Sequence, residues 1–239
     1  MMPLYYLRHL QNSLNFVLRN QVRFRRQPRL EDLRTTTILK LQEELEEFLG
    51  LFDWTFLAGA TQRRGIFTAA DVGALDFSFA PVFEKHFQSL GLAAVAIHGI
   101  EIDAYRRYSN FYSRADYGRA FASQIRRGSF HALDFLKFQQ PLDFIFLLHP
   151  FVTPEPSLRW GLPLSVYKPQ AIFDHCRDLL KGRRGTLLLS NPSEGEFENA
   201  RKRAVCSGFV IQEQKIWQPR ETTAHQKPRY GAVLSLSGV

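Results

Sequence analysis

Four carboxylates and one histidine stand where apolar runs of this chain end. Asp71 lies near the close of Ile66-Phe67-Thr68-Ala69-Ala70, just before Val72-Gly73-Ala74-Leu75. Glu101 and Asp103 follow the run from Ala93 to Ile100, Asp134 follows Ser129-Phe130-His131-Ala132-Leu133, and His149 follows Leu142 to Leu148. A carboxylate at a strand end accepts hydrogen bonds from ribose hydroxyls, and a turn leading into a helix presents backbone N–H groups to a ligand. Side chains alternate along a strand, so Glu101 and Asp103 share a face if the strand continues. An acid pair of this kind is also what a solvated strand end looks like. A histidine at the end of a buried strand can act as a general base on a hydroxyl or an amine. It can equally be a loop residue without a chemical role.

These residues need a scaffold, and the stretch from Ile66 to Arg106 supplies one. An apolar run stops at Gly73, and a turn from Ala74 to Ala80 follows. Pro81 to Gly91 reads as a helix, with its proline in the first turn and its glycine at the end. A second apolar run then ends in an acid. Strand, turn, helix, strand and acid together form a unit that binds adenosine-containing cofactors.

Asp71-Val72-Gly73 followed by Gly99-Ile100-Glu101 resembles the first two motifs of class I S-adenosylmethionine-dependent methyltransferases. That family has Asp-x-Gly-x-Gly-x-Gly at the first turn; here Leu75 and Phe77 occupy the places of its second and third glycines. The resemblance implies S-adenosylmethionine as cofactor, with Asp71, Gly73, Ala74 and Leu75 at the turn. It implies Glu101 as the ribose ligand, with Asp103 second, and Asp134 on the adenine amino group. His149-Pro150-Phe151 falls where members acting on base amino groups carry Asn/Asp-Pro-Pro-Phe/Tyr. Only Pro150 and Phe151 match, and His149 is the candidate catalytic residue. Asn191-Pro192 is a further rim candidate. The activity implied is methyl transfer to an acceptor the residues do not name. The alternative is a non-catalytic cofactor-binding or scaffold protein that keeps the fold. A nicotinamide-binding domain would favour Gly-x-Gly-x-x-Gly at the turn, which is absent.

Beyond the first unit the alternation continues. Tyr117 to Arg126, Pro169 to Leu180 and Glu194 to Gly208 read as helices. Strands are expected near Ser129, at Leu142–Leu148, Thr186–Ser190, Phe209–Trp217 and Tyr230–Leu236. The long apolar run before His149 suits a parallel strand buried on both faces. Alternation argues for right-handed crossovers and a parallel sheet, and the last two strands for a closing hairpin. The expected fold is therefore α/β: a seven-stranded, mostly parallel, Rossmann-like methyltransferase sheet over residues 61–239. Residues 1–60 form an N-terminal helical extension. Its helices span Leu4–Leu18, apolar at Leu7, Leu10, Leu14, Val17 and Leu18, and Ile38–Phe52. Such stripes are expected to pack on the domain.

The chain has 239 residues, 45% hydrophobic, with a net charge of +8, enough for a core and an argument against disorder. Part of the basic excess lies at Arg19, Arg23, Arg25, Arg26, Arg29 and Arg34, with Phe24 among them. This Arg19–Arg34 segment could border the acceptor site and attract an anionic acceptor such as RNA. Alternatively its arginines pair with Glu43, Glu44, Glu46 and Glu47. Cys176 and Cys206 have no metal-site spacing and fit a reducing compartment, so a cytoplasmic location without a metal is expected. No run is long enough to span a bilayer and no signal peptide is evident, so no membrane partner is expected.

Overall fold

Apolar runs that stop at a glycine, an acid or a histidine become the central strands. In chain order the elements are α1 (Met2–Gln21), α2 (Thr36–Leu49), β1 (Phe67–Val72), α3 (Ala80–Ser89), β2 (Val95–Ile100), α4 (Arg114–Ala122) and β3 (Gly128–His131). Then come β4 (Phe144–Leu148), α5 (Pro154–Arg159), α6 (Pro169–Leu180), β5 (Thr186–Asn191), α7 (Glu194–Cys206), β6 (Phe209–Trp217) and β7 (Arg229–Leu236). The computed structural model describes residues 2–21, 25–29, 31–57, 65–219 and 228–236; Arg23 and Phe24 lie outside them.

The seven strands form one sheet in the order β3-β2-β1-β4-β5-β7-β6. The first five are parallel; β7 runs antiparallel to both β5 and β6. The chain leaves β1 in one direction toward β2 and β3, then returns on the other side as β4. That reversal opens a crevice at the carboxyl ends of β1 and β4, where ligands bind in open α/β sheets. Helices cover both faces, so β1 and β5 are buried along their whole length. One face is rich in phenylalanine: Phe83 of α3 stacks on Phe146 of β4 at 3.8 Å, with Phe87 and Phe144 beside them. The other face packs Phe173 and Cys176 of α6 and Phe197 of α7 on Leu187 and Leu189.

The N-terminal residues play two different parts. Thr35 caps α2, and Leu45, Phe48 and Leu49 are buried in the phenylalanine core. Phe48 lies so close to Gly231 of β7 that a Cβ there would meet its ring at 2.4 Å. Helix α1 instead lies across the segment after β4. Asn12 donates from Nδ2 to the carbonyls of Leu158 and Leu162, and Leu164 N–H donates to His9 Nδ1. The stripe expected to pack on the domain is the exposed one: Leu7, Leu10, Leu14, Val17 and Leu18 all face solvent.

Two further elements differ from the sequence reading. The helix expected over 117–126 runs from Arg114 to Ala122, because Ser113 and Asp116 form a reciprocal capping box. Helix α5, which opens with Pro154 at its first turn, has no counterpart among the expected elements.

Candidate active site

The turn after β1 has left-handed backbone at three alternate positions but a glycine only at the first. Gly73 has φ 75°, Leu75 φ 51° and Phe77 φ 60°, all in the left-handed region that costs an L-residue roughly 1–2 kcal/mol. The Phe77 side chain turns inward and is fully buried. Its room comes from β2: a Cβ on Gly99 would stand 2.6 Å from the Phe77 ring. Leu75 points to the crevice and is 39% exposed. The N–H groups of Gly73 and Ala74 both donate to the Ile100 carbonyl, tying the turn to the end of β2.

Glu101 sits beside this turn and is buried. Its Oε2 accepts from Leu75 N–H at 3.0 Å, and its Oε1 accepts from Asp103 N–H at 2.7 Å and from Arg114 Nη1 at 3.4 Å. Burial raises its pKa, while Arg114 and the two N–H donors oppose that. Each carboxylate oxygen has two acceptor directions, so Oε2 retains capacity for a hydroxyl donor. Asp103 is occupied by cations instead. It pairs with Arg19 at 3.1 Å and Arg106 at 2.6 Å and lies within 3.8 Å of Arg114. It does not line the crevice, and neither do Ala74 or Asp71.

Asp71 is buried beneath the turn, and its carboxyl is pushed up to about 8, first by burial and then by the charges of Glu101 and Asp76. Asp134 caps a short helical turn by accepting from Leu136 N–H with Oδ1 and lines the crevice. His149 stands on the rim at φ 57°, with an exposed edge. Its N–H donates to the Ser190 carbonyl. Protein packed around the ring and the charge of Arg229 push its pKa down. Asn191 is buried just below, donating to the Pro150 carbonyl, and does not reach the crevice.

Together Gly73, Leu75, Glu101, Asp134 and His149 line a cavity of about 150 Å³. Its apolar walls include Ile102, Phe135, Phe151 and Trp160. Two cations, Arg114 and Lys168, also line it and were not singled out from sequence. Arg114 opens α4, where a positive charge opposes the helix dipole; Glu101 and Asp103 hold it there. Its guanidinium is buried, lies 5.8 Å from the Trp160 ring centroid, and leaves Nε without a hydrogen-bond partner among the described residues. The capping box at Ser113-x-x-Asp116 was the available sequence signal, since it fixes where α4 begins.

No known family model and no curated protein matches the sequence. Solved structures do match the fold. Magnesium protoporphyrin IX methyltransferase from Synechocystis PCC 6803, with bound S-adenosylmethionine, superposes at a TM-score of 0.52 and 13% identity, covering 85% of this chain and 86% of that one. A candidate RNA methyltransferase from Pyrococcus horikoshii gives 0.51 and 12%, over 94% and 96%. The PH0226 protein from Pyrococcus horikoshii OT3 gives 0.51 and 13%, over 86% and 93%. By these superpositions the chain, with its seven-stranded sheet, has the fold of the class I S-adenosylmethionine-dependent methyltransferases.

Proposed function

We propose that this protein binds S-adenosylmethionine in the crevice and transfers its methyl group. The observation that carries the reading is Glu101, a buried carboxylate at the end of β2, braced by the turn itself and lining the cavity. In this reading Glu101 takes the ribose hydroxyls and Asp134 offers Oδ2 to the adenine amino group. Ile102 and Phe135 provide the apolar walls. Gly73 and Leu75 line the turn, while Ala74 and Asp71 support it from below. Asp103 positions rather than binds, through its arginines. Bound S-adenosylmethionine supplies an electrophilic methyl on a sulfonium, so the protein's work is to orient, exclude water and handle a proton. His149 on the rim, held neutral at pH 7, is the residue that would take that proton from an acceptor.

Calorimetric titration with S-adenosylmethionine tests this directly. Micromolar affinity is expected, about −8 kcal/mol, with Glu101→Ala weakening it by about 2 kcal/mol, the scale of a charge-assisted hydrogen bond. Absence of heat at millimolar cofactor would leave the non-catalytic scaffold as the reading. For the acceptor, RNA is a second reading. It is favoured by Arg25, Arg26, Arg29 and Arg34, which are exposed, whereas Arg19 is engaged by Asp103 and the Gly161 carbonyl. Glu44, Glu46 and Glu47 of α2 meet Arg229, Lys85 and Trp217.

A further inference from the structure

Helix α1 is amphipathic, but it is docked by the opposite face from the one its sequence suggests. Asn12, His9 and Arg19 bind the body through hydrogen bonds and an ion pair. The apolar stripe looks outward: Tyr6, Leu7, Leu10, Leu14, Val17 and Leu18 are between 49% and 64% exposed. At 100° per residue these six share one third of the helix circumference. Soluble surfaces rarely carry so continuous a row of large apolar side chains without a partner.

We propose that this stripe seats α1 on the surface of an anionic bilayer, lying in the interface without crossing it. Charge selects the bilayer over a second copy of the chain. Helix α1 contains no Asp or Glu; Arg19 is engaged by Asp103, but Arg8 on the helix and Arg25 and Arg26 just beyond it are exposed. Two such faces brought together would gather like charges, whereas anionic headgroups supply opposite ones. The residues flanking the stripe, Gln11, Ser13 and Asn20, also lack the charged pairs that set register between two helices. Tyr6, at the edge of the stripe in the first turns, suits the headgroup layer. An apolar strip joined to a basic segment gives the two signals that surface attachment needs. No helix among the described residues is long and apolar enough to cross a membrane, and surface attachment requires none.

Flotation of the purified protein with phosphatidylcholine vesicles, with and without roughly a third of phosphatidylglycerol, tests the proposal. The protein should float with the anionic vesicles and at least about tenfold less with the neutral ones. Leu10→Gln/Leu14→Gln, which removes apolar surface without adding charge, should lower binding about tenfold or more while leaving the melting temperature and S-adenosylmethionine titration unchanged. Leu10→Glu/Leu14→Glu should lower it further. Three outcomes overturn the proposal: no flotation of the wild type, equal flotation of wild type and both variants, or a concentration-dependent dimer that Leu10→Gln/Leu14→Gln abolishes in a protein that ignores vesicles. The last would assign the stripe to a second copy.

Discussion

Asp71 is a carboxyl placed where ionisation is unfavourable: it is buried, and two other acids lie near it. In the unfolded chain it ionises near its ordinary value of 3.8, and in the fold only near 8. The folded state therefore holds the proton more tightly. Below the unfolded value Asp71 costs nothing; between the two values stability falls as pH rises; above about 8 the loss is constant. Thermal melts from pH 5 to 9 should show this decline, and Asp71→Asn should flatten it, with a difference of about 1–3 kcal/mol at pH 8. Were the slope unchanged in Asp71→Asn, Glu101 would be the titrating group instead. Glu101 was legible in the sequence because a strand end is a one-dimensional feature. Arg114 was not, because its link to Glu101 exists only once α4 folds back beside β2.

The turn between β1 and α3 is the element in which residue type and backbone part company. Its left-handed angles persist at Leu75 and Phe77, and the cost is offset by the burial of Phe77 against Gly99. Gly99→Ala would place a Cβ 2.6 Å from that ring, and overpacking of this kind costs about 1–3 kcal/mol. Urea denaturation should show the loss, and Phe77→Leu added to Gly99→Ala should recover part of it. If Gly99→Ala is neutral by itself, the ring has another place to go. Sequence pattern located the strands well because β4 and β5 are buried on both faces and read as unbroken apolar runs. It misplaced α4 because the capping chemistry of Ser113 and Asp116 outweighed the later apolar residues.

At the scale of the molecule, the sheet was readable from alternation and the docking of the N-terminal helices was not. Periodicity reports that a helix has an apolar face; it does not report which face the body occupies. In α2 the two coincide, with Leu45 and Phe48 inside the core, and in α1 they are opposed. The basic excess has the same ambiguity, and salt resolves it. If Arg25 and Arg26 meet phosphates, RNA affinity should fall with a log–log slope near −0.7 per contact on a single strand. Arg23→Ala/Arg25→Ala/Arg26→Ala should then reduce that slope in a filter-binding series; an unchanged slope excludes the segment as an RNA contact. The way α1 is fastened has one more result. Its hydrogen bonds end on Leu158, Leu162 and Leu164, in the segment that carries Trp160 and roofs the cavity. For that roof to move outward these hydrogen bonds must break, so a ligand beneath it is expected to leave more slowly while α1 stays docked than once α1 is released.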